Sequence, residues 1–220
     1  MSLKIGALAS GGGSNVQAII NAIEAGKLTA EVVVVISDRE DAGVLERAKK
    51  HGIATVSITV AKTGTPQWEA DNDEIVRVLK EYDVELVALA GYMRKTAPGL
   101  LTAFPGAVMN IHPALLPSFP GAHGQRDANE YGTKLAGATV HFADEEFDRG
   151  PIIIQGAVPA SEDDDADTLA ARILKVEHRI YPQAIQWFAE GRLSIEGRKV
   201  ILKDRKAPEN EALIWPALED

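Results

Sequence analysis

Residues 3–37 read Leu3-Lys4-Ile5-Gly6-Ala7-Leu8-Ala9, then Ser10-Gly11-Gly12-Gly13-Ser14-Asn15, then a helical pattern to about 26, and finally Glu31-Val32-Val33-Val34-Val35-Ile36-Ser37. An apolar run, a glycine turn, a helix and a second apolar run make a βαβ unit. The second run lacks polar alternation, and a strand so uniformly apolar is expected where helices cover both faces, as in a parallel sheet. Outward from this unit the rhythm repeats. The pattern predicts a helix over 41–51, a strand over 53–58, a helix over 66–82, a strand Val84–Ala90 ended by Gly91, a helix over 96–103 and a strand over 106–111.

From there the rhythm changes. Ala138–Ala143 and Pro151–Val158 are strand-like and are joined by the polar turn Asp144-Glu145-Glu146-Phe147-Asp148-Arg149-Gly150, which reads as an antiparallel hairpin. A long amphipathic helix over 165–190 follows, with Leu169, Ile173, Val176, Ile180, Ala184 and Trp187 at helical spacing as predicted core contacts. Gly191 stops it, and a short strand pair near 193–203 precedes a polar tail. The prediction is an α/β fold: a mostly parallel twisted sheet with an antiparallel element and helices on both faces. Residues 1–203 form a single domain and 204–220 the tail.

Composition narrows the function. The chain has 220 residues, 45% hydrophobic and 25% charged, an ordinary globular balance. The N-terminal apolar stretch breaks at once into glycines and reads as a first strand rather than a secretion signal, so a cytoplasmic location is expected. With no cysteine in the chain, thiolate nucleophiles, disulfides and cysteine-based zinc sites are excluded. A net charge of −9 argues against a nucleic-acid partner, whose non-specific affinity rests on Lys and Arg against phosphates. No apolar run is long enough for a membrane span. No histidine pair has helix-type metal spacing beside a carboxylate, and no metal is expected.

Two segments carry chemistry. The glycine loop opens the first helix, so its amides and the helix N-terminus suit a phosphate. It is neither a Walker loop nor a dinucleotide fingerprint, since Val16 stands where a third glycine is required. Ser14 or Asn15 capping the helix is the plainer alternative. The second segment is Asn110-Ile111-His112-Pro113-Ala114-Leu115-Leu116-Pro117, with Asp148 36 positions after His112. Pro113 biases His112 away from helix, to a strand end, where ligands bind in open α/β sheets. Asn110 and His112, two apart on a strand, face one side and can converge on one carbonyl oxygen as it becomes an oxyanion. Asp148 beside His112 favours the imidazolium, or relays protons through water. His123, His141 and His178 are further candidates without assigned roles, and His51 reads as surface.

These residues resemble the folate-dependent phosphoribosylglycinamide formyltransferases (GAR transformylases) of purine biosynthesis. The likeness runs from Ile5 to about Val200 through Gly11-Gly12-Gly13-Ser14-Asn15, Leu89-Ala90-Gly91-Tyr92-Met93-Arg94, the Asn110–Pro117 block, Pro120-Gly121-Ala122-His123, Thr139-Val140-His141-Phe142 and Asp148-Arg149-Gly150-Pro151. The resemblance implies a Rossmann-like formyltransferase fold with Asn110, His112 and Asp148 as the catalytic set, passing formyl from the co-substrate 10-formyltetrahydrofolate to the amine of glycinamide ribonucleotide. It implies that Gly12, Gly13, Ser14, Asn15 and Glu177 hold the phosphate and ribose. Met93, Arg94, Lys95, Thr96, Asn110, Ala143, Asp144, Glu145 and Asp148 would line the folate site, in a monomer or homodimer. Leu174 stands where some relatives carry a polar residue, so that position offers the ribonucleotide no hydrogen bond.

Three alternatives compete with this reading. A formyltetrahydrofolate hydrolase shares the Asn-His-Asp set but usually carries a further N-terminal domain and needs no phosphate loop. Methionyl-tRNA formyltransferase needs a C-terminal domain and a tRNA surface. A non-catalytic nucleotide-binding protein has no need for a converging amide, imidazole and carboxylate.

Overall fold

The computed structural model describes residues 2–207, 213, 215 and 216; the rest of the predicted tail lies outside the described residues. The predicted βαβ unit consists of β1 (Leu3–Leu8), α1 (Ser14–Glu24) and β2 (Ala30–Ser37). It is followed by α2 (Gly43–Lys50), β3 (Ala54–Ser57), α3 (Pro66–Glu81), β4 (Leu86–Leu89), α4 (Pro98–Ala103) and β5 (Val108–His112). Then come α5 (Gly124–Tyr131), β6 (Leu135–Phe142), β7 (Ile152–Pro159), α6 (Ala166–Ala189) and the hairpin β8 (Leu193–Glu196) and β9 (Lys199–Leu202).

Among the described residues, seven strands form one sheet in the order β3-β2-β1-β4-β5-β6-β7. Pairings from β3 through β5 are parallel, and β6 pairs antiparallel with both β5 and β7. The chain lays β2 and β3 on one side of β1 and β4 onward on the other. The order therefore reverses between β1 and β4, and at such a switch the loops leaving the strand ends part to form a crevice.

Successive residues of a central strand point to opposite faces, and each face has its own core. In β4, Leu86 and Ala88 join the layer with Val16, Ile19, Ile173 and Tyr181, while Val87 and Leu89 join that with Trp68, Ile75, Leu79 and Leu100. Both layers exclude water, which is why these strands read as unbroken apolar runs. Gly6 is required by contact: a Cβ there would lie 2.3 Å from a methyl of Leu79 on α3.

Three expectations are corrected. β6 begins at Leu135, and Ala143 lies beyond its end. α5 was not anticipated, because Gly124-Gln125-Arg126-Asp127-Ala128-Asn129-Glu130-Tyr131 has no apolar period and buries only Gly124 and Ala128. Its readable signal is Gly132, left-handed at φ 79° where a helix C-terminus favours glycine. On α6, Trp187 is only half-buried and outside the core, while Tyr181 and Ile185 are fully buried. The helical period of 3.6 carries the buried stripe off the spacing chosen from sequence.

Candidate active site

β5 delivers the central residues. His112 is buried at its end and Asn110, two positions earlier, is half-buried on the same side of the strand. In the antiparallel register Asn110 lies opposite His141 of β6, so the three polar side chains share one patch. Asp148 comes from the β6–β7 connection, with a side chain only 2% exposed and a left-handed backbone at φ 56°. Gly150 lets that connection turn back over β6, since a Cβ there would lie 1.6 Å from the Phe142 carbonyl oxygen.

Asp148 is the hub. Its Oδ2 accepts from the Gly121 amide at 2.8 Å and faces His112 Nδ1 at 3.3 Å. Its Oδ1 accepts from Asn110 Nδ2 at 3.4 Å and lies 3.8 Å from His141 Nε2. His112 Nε2 is 2.8 Å from the carbonyl oxygen of Phe119, an acceptor only, so that nitrogen carries a proton. The other ring nitrogen faces the Asp148 carboxylate, so both nitrogens are directed at acceptors. Phe119 is itself left-handed at φ 54°, an uncommon conformation for a bulky residue that recurs at functional sites.

His141 is the residue whose role sequence reasoning missed. Burial holds its imidazole below the usual histidine range, and Nδ1 donates to the Phe142 carbonyl at 3.0 Å. Its unprotonated Nε2 therefore accepts from Asn110 Nδ2 at 3.1 Å. Between His141 and Asp148, both acceptors, the Asn110 amide can present only its NH2 edge. The expected convergence of Asn110 and His112 on one substrate oxygen is not what the structure shows: both His112 nitrogens face protein acceptors, and the long 3.4 Å bond from Asn110 is the one a substrate oxygen can replace.

A cleft runs from this hub between the strand ends. Its walls include Arg94, Thr96, Asn110, Ala143, Asp144 and Asp148, with Leu89, Tyr92 and Phe147 supplying apolar surface; Met93, Lys95 and Glu145 are not among them. Residues 92–97 are fixed from α3 by Trp68 Nε1 on the Lys95 carbonyl and by Asn72 Oδ1 accepting the Ala97 amide. Arg94 Nε bonds buried Asp38 Oδ2 at 2.6 Å. A larger groove of about 600 Å³, walled by Lys4, Glu31, Ile53 and Asp83, opens at the opposite ends of the strands and has no such hub.

At the end of β1, Gly13 caps α1 in the left-handed conformation, and a Cβ on it would lie 2.3 Å from Val44 of α2. A Cβ on Gly11 or Gly12 would meet nothing within 4 Å, so packing does not account for those glycines and the space above them is open. Buried Asn15 donates from Nδ2 to Glu177 Oε2 at 2.6 Å, while its Oδ1 has no partner among the described residues. Burial raises the Glu177 carboxyl above its usual range and the Asn15 bond only partly offsets this. Tyr181, one turn along α6 from Glu177, reaches the carbonyls of Leu89 and Met109 at 3.1 and 3.0 Å, which pins the helix over the strand ends. His178 faces the α1–α6 groove beside Ser14, whereas His123 is exposed. Among the described residues no cluster of three or more His, Asp or Glu is placed to hold a metal, and no helix is long and apolar enough to cross a membrane.

A cleft at the strand ends leading to a buried carboxylate flanked by an amide and two imidazoles is a site suited to group transfer in an α/β enzyme. The chain belongs to the formyl transferase family, whose model matches residues 3–185. Within that family it is 40% identical to the phosphoribosylglycinamide formyltransferase of Escherichia coli K12, over 94% of this chain and 96% of that protein. The solved glycinamide ribonucleotide transformylase 1 of Symbiobacterium toebii superposes with a TM-score of 0.87 at 49% identity, covering 91% of this chain and 94% of that one. A formyltetrahydrofolate deformylase of Pseudomonas syringae superposes with a TM-score of 0.85 at 26% identity, over 92% of this chain but 66% of that one.

Proposed function

We propose that this chain transfers the formyl group of 10-formyltetrahydrofolate to the primary amine of glycinamide ribonucleotide in purine biosynthesis. The observation that carries the reading is the Asp148 hub in the wall of a cleft with apolar and polar lining, in a sheet whose first strand also ends in an open glycine loop. The folate co-substrate supplies an activated formyl carbonyl, and the cleft fits it in kind: apolar walls from Leu89 and Phe147, polar groups from Arg94 and Asp144.

Asn110 turns its NH2 toward the carbonyl oxygen, exchanging the bond to Asp148 for one that strengthens as charge develops. His141, neutral and fixed at Nδ1, keeps that amide from flipping. Asp148 accepts the proton the amine releases, directly or through water, and the leaving nitrogen is reprotonated from the same relay. His112, locked between Phe119 and Asp148, holds the carboxylate in place beside the reacting carbonyl. Ser14, Asn15 and the Gly12 and Gly13 amides take the phosphate, and Glu177 the ribose hydroxyls.

The net charge of −9 supports small-molecule partners over nucleic acid. The reading carries a cytoplasmic location, a monomer or homodimer, and chemistry without a metal. The test is turnover: absorbance of formyl-folate should change only when glycinamide ribonucleotide is also present. Change with formyl-folate alone would instead make the chain a hydrolase.

A further inference from the structure

The glycine loop is held from one side by α2. The Val44 amide donates to the Gly11 carbonyl at 3.0 Å, and Arg47 Nε donates to the Gly12 carbonyl at 3.1 Å. Neither Gly11-Gly12 nor Gly12-Gly13 is a cis peptide. In a planar trans peptide the carbonyl and the following N–H point in opposite directions. Drawing two successive carbonyls toward α2 therefore turns the N–H groups of Gly12 and Gly13 away from it. Among the described residues those two N–H groups donate to no protein acceptor. The first-turn amides of α1 beside them have no intrahelical partner either. Two aligned free amides next to a left-handed glycine form an anion-binding concavity.

Arg47 is fixed to do this. Its Nη1 donates to Gln17 Oε1 at 2.9 Å, and Gln17 Nε2 contacts Asn21 Oδ1 at 2.8 Å and His51 Nε2 at 3.1 Å. His51 Nδ1 in turn meets Glu24 at 2.8 Å. Arg47 as a residue is half-buried, and its charge reaches the α1–α6 groove: burial first, then Arg47, holds the His178 imidazole below its usual range. We propose that Arg47 is a positioning residue for the acceptor's phosphate, setting the glycine amides through the Gly12 carbonyl and adding a fixed positive charge beside them. This rests on the formyl-transfer reading and assigns a role to a residue outside the loop that reading invokes.

Steady-state kinetics of the full chain test it with two acceptors, glycinamide ribonucleotide and glycinamide riboside, which lacks the phosphate. Arg47→Met keeps the aliphatic stem and removes the donors. The ribonucleotide KM rises about tenfold or more, the scale of one hydrogen bond involving a charged group. Meanwhile kcat and the KM for formyl-folate stay within about twofold, as expected when only ground-state binding is lost. The riboside is used equally by wild type and variant. Arg47→Lys, with charge but no fork to span Gly12 and Gln17, falls between, and carries the same comparison if Arg47→Met does not fold. An unchanged ribonucleotide KM, or an equal loss with the riboside, overturns the proposal. If wild type uses neither acceptor, the formyl-transfer reading fails instead, and amide NMR of Gly12 and Gly13 during inorganic phosphate titration reads the loop alone. Shifts weakened by Arg47→Met then support the role; equal shifts refute it.

Discussion

Asp148→Asn probes the hub with almost no change of volume. The carboxylate presents acceptor oxygens to Gly121 N–H at 2.8 Å, His112 Nδ1 at 3.3 Å and Asn110 Nδ2 at 3.4 Å. An asparagine offers one oxygen and one NH2. Keeping its oxygen on Gly121 turns its NH2 toward that of Asn110, which must then flip or lose its orientation. The variant thus removes the proton acceptor and disturbs the oxyanion donor together. Loss of a general base costs about 10²–10⁴ in rate, and loss of one oxyanion donor about 10²–10³. Groups serving one step are not additive, so the expected fall in kcat is about 10³–10⁴, or roughly 4–5.5 kcal/mol of transition-state stabilisation. Both KM values should move by about threefold at most, because the contacts concerned strengthen only in the transition state. The assay is absorbance-monitored turnover, with a thermal melt to show that the variant is folded. A folded variant retaining more than about a tenth of wild-type kcat, or one altered only in KM, removes Asp148 from the chemistry.

Glu177→Gln keeps the acceptor for Asn15 while removing a carboxylate that burial destabilises. A carboxyl raised by folding lends stability that is full below its usual range and lost as pH rises through its folded value. The variant's melting temperature should therefore exceed wild type at pH 8 and converge with it as pH falls, with weaker ribonucleotide binding throughout; a pH-independent difference contradicts the assignment. Tyr181→Phe removes the one buried hydroxyl proton shared between the Leu89 and Met109 carbonyls and should cost about 1–3 kcal/mol in denaturant titration. A neutral result would mean that the hydroxyl does not pin α6. Gly13→Ala forces a Cβ to within 2.3 Å of Val44 in a left-handed residue and should lower stability while raising the ribonucleotide KM. Intact phosphate affinity in that variant would place the phosphate elsewhere.

Elements with strong local pattern were legible beforehand. The β1 and β2 runs, the glycine turn and α3, with Thr65 capping and Pro66 leading, follow from side-chain identities within a few positions. α5 was not, because it is polar nearly all round and is defined by its docking on α6 and β6. Asn110, His112 and Asp148 stood out because an amide, an imidazole before proline and a carboxylate form a chemically coherent set. His141 was given no role, and the contacts made by Gly121, Phe119 and Arg47 are not legible in the sequence. One is an ordinary strand histidine, two act through backbone atoms, and the last sits on another helix.

By itself the chain's order of residues determined the layered α/β architecture, the family resemblance and a short roster of reactive side chains. Periodicity and turn chemistry are local properties, and they can be read before anything is packed. Only the tertiary structure decided which of those side chains touch: the β5–β6 register sets His141 against Asn110, and the turn before Gly150 swings Asp148 onto His112. Such contacts depend on strand pairing and loop closure across many residues. A shift of register by one residue would move every side chain of β6 to the opposite face and dismantle the hub while leaving the sequence pattern intact.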